Sequence, residues 1–144
     1  MEAHTSPNLK AIIICPSNPF ISIDPILSVK GVREGLINSH APVIAVSPII
    51  GSSAIKGPLA KQLNELGYRV SSISIANYYS DFIDGFVIDN EDRLSVTEVE
   101  EMDIKVKVCN ILMNNMTTKI ELAKTVLKFS SQCYKSSKKN RKNN

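Results

Sequence analysis

Four apolar runs are spaced along the chain, and each is followed within a few residues by polar or turn-forming residues. Residues 11–15, 42–46 and 85–88 are continuously apolar, whereas residues 104–108 alternate between isoleucine or valine and lysine. Continuous apolar character predicts strands buried on both faces, which is typical of parallel sheets covered by helices, and alternation predicts a half-exposed edge strand. The pattern therefore indicates three buried strands and one edge strand.

Helical patterns separate these strands. They cover residues 32–37, 59–66, 96–102 and 119–129. Gly67 follows the second helix as a C-terminal cap, and Thr97-x-x-Glu100 in the third resembles a capping box. In the fourth, the spacing predicts an apolar stripe against the sheet, made of Ile120, Ala123, Val126 and Leu127. Residues 68–84 combine strand propensity with helically spaced aromatic residues, and we interpret them as a short strand followed by a short helix. This order predicts an α/β fold, a Rossmann-like parallel sheet with alternating helices and right-handed crossovers.

Charge is distributed unevenly along the chain. The 144 residues carry a formal net charge of +3, but residues 135–144 hold five lysines and arginines and no acid, which leaves the rest at −2. We interpret residues 1–10 as an amino-terminal arm, residues 11–134 as the folded part and residues 135–144 as a basic disordered tail. Such a tail can bind nucleic acid, but we favour a solvated, frayed terminus as the interpretation, and no nucleic-acid partner is expected.

The cysteines and the hydropathy indicate a compartment. Cys15, Cys109 and Cys133 are odd in number, widely spaced and without a C-x-x-C pair, which favours reduced thiols in the cytoplasm. No apolar run approaches the roughly 20 residues that span a bilayer, and no signal-peptide pattern follows Met1. A soluble cytoplasmic protein without a membrane partner is expected.

The first candidate site is the loop after the first strand, because ligands of open parallel sheets bind beyond the carboxyl ends of the strands. Residues 16–25 bracket Ser17, Asn18 and Ser22 with three prolines that restrict φ. A stiffened polar loop of this kind can bind a substrate by hydrogen bonds. The same residues also suit a turn held by Asx-type bonds between side chain and backbone, and both interpretations stay open.

The second candidate site is the loop at residues 47–58, after the second strand. It combines Ser47, Ser52, Ser53 and Lys56 just before a helix that has a proline in its first turn. Hydroxyls, backbone N–H groups and an ammonium can surround a phosphate. The order of Lys56 and Gly57 differs from that of a P-loop, and a flexible connection is the alternative interpretation.

A group of carboxylates surrounds the third strand. It comprises Asp81, Asp84, Asp89, Glu91 and Asp92. These oxygen ligands suit magnesium, but helix capping and surface charge explain the same cluster, and we assign no metal ligand. His4 and His40 have no serine or cysteine partner in the sequence, so we also assign no catalytic residue.

Several ordered motifs together resemble the later half of the 2-phospho-L-lactate transferase family (CofD). The resemblance covers about residues 11–127 and rests on residues 16–19, 22–23, 25–27, 41–43, 46–49, 56–58 and 81–89. Enzymes of that family transfer a phospholactyl or phosphoenolpyruvyl group from a guanosine diphosphate-linked donor to a hydroxyl of 7,8-didemethyl-8-hydroxy-5-deazariboflavin, releasing GMP with the help of magnesium. The resemblance implies this activity in deazaflavin coenzyme biosynthesis, with the magnesium ligands in the first half of the domain.

The resemblance also implies a partial domain. The family's Gly-rich loop and Asn-Thr-Gly-Asp-Asp-like segment do not occur, and Ser52 and residues 109–111 replace a usual glycine and a Thr-Asp-Thr-like segment. We therefore expect a chain that is inactive alone, with a separate amino-terminal half or a second copy of itself as partner. The alternatives are a non-catalytic nucleotide- or partner-binding remnant and a gluconeogenesis-factor-like nucleotide-sugar-binding protein, whose family has a Gly-rich, Tyr-containing segment at the position of residues 16–19.

Overall fold

A four-stranded parallel sheet lies at the centre of the fold. The computed structural model describes residues 8–54 and 57–133. Its strands are β1 (Ile12–Ile14), β2 (Val43–Val46), β3 (Ile49–Ile50), β4 (Ser53–Ala54), β5 (Gly85–Ile88) and β6 (Lys105–Val108). The sheet has the order β1-β2-β5-β6 with all neighbours parallel, and β3 and β4 form a separate antiparallel hairpin. The predicted α/β architecture is confirmed.

Alternate residues of the strands face two separate cores. Ile12, Ile14, Val43, Ala45, Phe86 and Ile88 face the first and larger core, and Ile13, Ile44, Val46 and Val87 face the second. The strands β2 and β5 are buried along their whole length, as predicted, and β6 alternates between exposed and half-buried residues, as an edge strand does. The expectation of full burial is wrong for β1, which is half-buried because it forms the other edge of the described sheet.

The first core is covered by the helices that connect the strands. These are a π-helical turn (Pro19–Ile23), α1 (Asp24–Leu27), α2 (Val32–Asn38), α3 (Leu59–Glu65), α4 (Ser72–Tyr79), a 3₁₀-helix (Asn90–Ser95) and α5 (Val96–Glu100). Strand order equals chain order, so every crossover steps in the same direction along the sheet. Right-handed connections then place all these helices on one face.

The second core is covered by α6 (Met116–Ser130), which follows β6. Its buried residues are Leu122, Val126 and Phe129, at helical spacing. The predicted stripe is wrong in its phase, because Ile120 and Leu127 are 46% and 60% exposed and Ala123 is exposed as well. Of the four predicted positions, Val126 alone faces the sheet.

Two local predictions are wrong because side-chain caps act at other residues. Residues 68–71 form no strand: Gly67, with a φ of 78°, ends the preceding helix, and the Ser71 hydroxyl accepts a hydrogen bond from the Ser74 N–H and starts α4. Thr97 does not begin a capping box, because the 3₁₀-helix runs directly into α5. The capping box lies instead at α6, between Asn115 and Thr118.

The ends of the chain and one loop are not described. Residues 1–7, 55–56 and 134–144 lie outside the described residues, and with them most of the predicted arm, the basic tail and Lys56. Cys15, Cys109 and Cys133 are free thiols. In the described segments, every helix is too short or too polar to cross a membrane.

Candidate functional site

An open cleft of about 760 Å³ lies at the carboxyl edge of the sheet. Its wall is formed by the loop after β1, Pro48 after β2, the start of α3, the loop between β6 and α6, and the first turn of α6. Its lining includes Ser17, Asn18, Ser22, Pro48, Pro58, Ile111, Leu112, Asn114 and Lys119. This is the edge at which parallel α/β sheets bind ligands, and it contains the first of the two predicted loops.

The loop after β1 is held by Asn18. Its carboxamide oxygen accepts hydrogen bonds from the N–H groups of Phe20 (3.0 Å) and Ile21 (3.3 Å), and its amide donates to the Gln62 side chain at 2.5 Å. These bonds form the Asx-type turn that was one of the two interpretations of this loop. Because the side chain of Asn18 is engaged in this way, Ser17 and Ser22 are the loop's adaptable hydrogen-bonding groups in the cleft.

Helix α4 anchors the far end of the same loop. The Tyr78 hydroxyl donates to the Asp24 carboxylate at 2.5 Å, and the Phe20 ring packs edge-on against Tyr78 with 5.2 Å between ring centroids. Burial, helped by the neighbouring Asp24 carboxylate, raises the pKa of Tyr78 to about 12. The loop is therefore fixed at both ends before any ligand binds.

The second predicted loop is a hairpin and contributes less to the cleft. Ser47 is fully buried, and its hydroxyl bonds both backbone groups of Ile49, accepting from the N–H at 3.1 Å and donating to the C=O at 3.0 Å. Ser52 and Ser53 are exposed in the hairpin and do not line the described cleft. Lys56 lies outside the described residues, so its role stays a prediction.

Acidic residues lie close to that hairpin. The Gly51 N–H donates to the Asp92 carboxylate at 3.1 Å, and a Cβ at Gly51 would stand 3.0 Å from a Glu91 carboxylate oxygen. Burial raises the pKa of Asp92. Two carboxyl groups beside the turn oppose the binding of a phosphate there. Ser52 and Ser53 therefore differ from the cleft residues both in their position and in the charge near them.

The loop after β6 is a part of the site that the sequence analysis missed. The buried Asp89 carboxylate accepts hydrogen bonds from the N–H of Glu91 (3.1 Å) and from the N–H of Ile111 (3.0 Å), and so ties the loop after β5 to the loop after β6. Asn114 and Lys119 come after Ile111 in the chain and line the cleft. Their position after the fourth strand could have indicated this, but the sequence analysis considered only the loops after the first three strands.

The carboxylates of the third strand serve the fold. Asp81 forms a bidentate ion pair with Arg33 at 2.8 and 3.0 Å, and Asp84 accepts a hydrogen bond from the Val43 N–H at 2.8 Å. Asp89 and Asp92 hold backbone N–H groups, as described above. Within residues 8–54 and 57–133, no group of three acidic, histidine or cysteine side chains is arranged to hold a metal ion. Four of the five carboxylates that the sequence analysis considered for magnesium, those of Asp81, Asp84, Asp89 and Asp92, are thus engaged within the fold.

Among the described residues, the cleft combines an apolar wall with hydrogen-bonding groups and one cation, Lys119. Pro48, Pro58 and Ile111 supply apolar surface, whereas Ser17, Ser22, Asn114 and Lys119 supply polar atoms. Such a lining suits a ligand with an apolar part and an anionic part. It provides positioning and charge neutralisation.

Comparisons with known proteins agree on one family. The family model described as 2-phospho-L-lactate transferase CofD matches residues 7–128. A 2-phospho-L-lactate transferase of Methanocaldococcus jannaschii is 40% identical over 122 residues, which are 85% of this chain and 38% of the relative. One from Methanosarcina mazei is 41% identical over 116 residues (81% and 38%), and a phosphoenolpyruvate transferase of Kitasatospora aureofaciens is 37% identical over 122 residues (84% and 38%). The chain thus matches well under half the length of these relatives.

Proposed function

The chain belongs to the 2-phospho-L-lactate transferase CofD family, and on this premise we propose that it forms part of an enzyme that transfers a phospholactyl group. The donor is a guanosine diphosphate-linked phospholactate, or its phosphoenolpyruvyl counterpart, and the acceptor is 7,8-didemethyl-8-hydroxy-5-deazariboflavin. The acceptor hydroxyl attacks the phosphorus of the transferred group, and GMP leaves. The product belongs to deazaflavin coenzyme biosynthesis.

The observation that carries this proposal is the cleft. Ser17 and Ser22 face Asn114 and Lys119 across the carboxyl edge of a parallel sheet, within a chain whose family match includes all four residues. Phosphate displacement depends mainly on positioning and on stabilisation of charge, which hydroxyls, an amide and an ammonium supply. We assign donor or acceptor contacts to Ser17 and Ser22, and phosphate contacts to Lys119 and Lys56. Asn18, which the sequence analysis also placed in this site, holds the loop in position through its bonds to Phe20, Ile21 and Gln62.

The structure-based assignments differ from the sequence-based ones for three serines. Ser47 is occupied by the turn at Ile49, and Ser52 and Ser53 are exposed, do not line the described cleft and directly follow Gly51, which contacts Asp92. We therefore keep Ser47, Ser52 and Ser53 outside the proposed phosphate site. Lys56 keeps its proposed role from its position in the sequence.

The rest of the enzyme is proposed to come from the part of the family's domain that the match leaves uncovered. Because the carboxylates of Asp81, Asp84, Asp89 and Asp92 are engaged with backbone N–H groups or with Arg33, we place the magnesium ligands in that complementary part. We propose that the chain alone has no turnover, that it works in the cytoplasm, and that it self-associates when the complementary part is absent.

The test is a transferase assay on the purified full chain. GMP release from the guanosine-linked donor is measured with deazariboflavin and magnesium, with the chain alone and after addition of the uncovered part of the M. jannaschii relative as a separate polypeptide. We expect no turnover alone and turnover after mixing. Turnover by the chain alone would contradict the partial-enzyme proposal, and no turnover in the mixture would contradict a catalytic role.

A second candidate, nucleotide binding without catalysis, is favoured because the carboxylates of Asp81, Asp84, Asp89 and Asp92 are bound within the fold. In that case the cleft binds GDP, and the mixture remains inactive. Calorimetric titration of GDP into the same mixture distinguishes the two, because binding without GMP release supports the second candidate alone.

A further inference from the structure

An apolar groove lies beside the β1 edge of the sheet. It has a volume of about 270 Å³, lies between β1 and α6, and is lined by Ile13, Cys15, Met113, Ala123 and Leu127 together with buried residues of the second core. Leu127 is 60% exposed and Met113 is 38% exposed. Exposed apolar side chains gathered in one groove mark an interaction surface.

The backbone of β1 is open on its outer side. The Ile12 N–H donates to the Pro42 C=O at 2.9 Å, towards β2. Successive residues of a strand direct their backbone groups to opposite sides, so the N–H and C=O of Ile13 point away from β2. In the described sheet no strand lies on that side of β1, and a further parallel strand can extend the ladder there.

The handedness of the crossovers predicts where a helix connected to such a strand would lie. All crossovers from β1 to β6 run in one direction and place their helices on the first face. A sheet that continues past β1 in the opposite direction places its right-handed crossover helices on the second face, where α6 and the groove lie. A strand and a helix of one segment would therefore cover the open edge and the groove together.

We propose that the β1 edge and this groove dock a complementary α/β segment of the same family domain. The proposal rests on the proposed function, because the family relationship supplies the segment: the match covers only 38% of the M. jannaschii relative. Strand order reverses at β1 in the resulting sheet, and doubly wound sheets bind ligands where the order reverses. The docked segment then forms the missing wall of the cleft beside Ser17.

The test measures binding separately from catalysis. The uncovered part of the M. jannaschii relative, expressed as a separate polypeptide, is titrated into the full chain by calorimetry. In parallel, the alkylation rate of each cysteine is followed by peptide mass spectrometry. Cys15 is exposed in the groove, whereas burial raises the pKa of Cys133 to about 11 and also raises the pKa of Cys109. Saturable binding and an about tenfold slower alkylation of Cys15 are expected.

Matched variants identify the surface. Leu127→Lys places a charge in the groove at a residue that is 60% exposed, and Leu94→Lys places the same charge at a residue that is 97% exposed and outside the groove. We expect Leu127→Lys to weaken binding about tenfold or more and Leu94→Lys to leave it unchanged. Equal affinities of both variants would overturn the proposal. So would the absence of binding at about 100 μM, well above the micromolar limit of standard interfaces.

Three further outcomes are distinguishable. The chain could form a homodimer that Leu127→Lys dissociates and that the added segment does not displace. In that case a second copy of the chain occupies the groove, and the proposal is overturned. Docking without GMP release would support the docking site and contradict the proposed enzyme. GMP release with unchanged kinetics in Leu127→Lys would support the enzyme and overturn the docking site.

Discussion

The carboxylate of Asp89, at the end of β5, accepts a hydrogen bond from the backbone N–H of Ile111, in the loop that follows β6, at 3.0 Å. The other carboxylate oxygen accepts from the Glu91 N–H at 3.1 Å. One buried side chain therefore sets the position of the loop that carries Asn114 into the cleft and leads into α6, where Lys119 lies. Asp89, one of the carboxylates that the sequence analysis considered for magnesium, acts here as an acceptor of backbone hydrogen bonds.

Substitution Asp89→Asn tests this role. Asparagine keeps the shape but has one acceptor oxygen, so one of the two N–H groups meets an NH₂ group and stays unsatisfied. An unpaired buried group costs roughly 1–3 kcal/mol, and we expect a loss of this size in chemical denaturation together with faster hydrogen exchange at the Ile111 amide. Glu98→Gln, at an exposed residue of α5, is the control. Unchanged exchange at Ile111 would contradict the assignment.

Gly85 is required for the close approach of α6 to the sheet. A Cβ at this position would stand 2.8 Å from Ile44 Cδ1 and Phe129 Cε1, and 2.9 Å from Cys133 Sγ. Overpacking of a core typically costs about 1–3 kcal/mol, and we expect Gly85→Ala to lower the free energy of unfolding by that amount. The loss should be smaller in a Phe129→Leu background, because the contacting ring atom is removed. An equal loss in both backgrounds would mean that Phe129 is not the obstacle.

The sequence predicts the layers of this fold better than its loops. The strands were identifiable because apolar runs such as residues 42–46 have no polar position that could face water. The phase of α6 was not identifiable, because Ile120 and Leu127 are as hydrophobic as Leu122 and Phe129. The absence of a side chain at Gly85 leaves room for the Phe129 ring against the sheet, which favours the helix face that carries Phe129. This contact joins residues 44 positions apart in the sequence.

The candidate site was predictable where one loop acts alone. Asn18 and its prolines indicated a stiff turn, and Asn18 makes that turn within three residues. The hairpin in the second loop was not identifiable from the sequence, because it depends on the pairing of the buried Ile49 with Ala54 and on the contact of Gly51 with Asp92. Lys119 was missed because its position depends on the hydrogen bond between the Asp89 carboxylate and the Ile111 N–H, which holds the loop before α6. A bond between residues so far apart in the sequence leaves no pattern in it.

The Tyr78–Asp24 contact predicts a pH dependence of stability. Burial and Asp24 raise the pKa of Tyr78 from 10.0 to about 12, so the folded state holds the phenolic proton more tightly than the unfolded state does. The stabilisation is complete below pH 10 and is lost as the pH rises through about 12. We expect wild-type stability to fall more steeply than that of Tyr78→Phe in this window, as measured by denaturation at fixed pH steps. The tyrosinate absorbance step near pH 12 should be absent from the variant, and parallel stability curves would contradict the contact.

Lys119 is the described cation of the proposed phosphate site, and its removal tests where the donor binds. A hydrogen bond to a charged group contributes roughly 1.5–3 kcal/mol, so Lys119→Ala should weaken GDP binding roughly ten- to a hundredfold. Lys119 is exposed and outside the buried face of α6, so the melting temperature should change little.

The control for Lys119→Ala is Lys124→Ala, which removes the same charge from the same helix at an exposed residue that does not line the described cleft. Calorimetric titration of GDP into the mixture of the chain with its complementary segment compares the two variants, with Lys56→Ala as a third. A loss in Lys119→Ala and Lys56→Ala, but not in Lys124→Ala, supports a phosphate bound between the loop at residues 47–58 and the start of α6. Equal affinities in all three variants would remove both lysines from the site and place the phosphates in the complementary segment, because no other described side chain lining the cleft carries a positive charge.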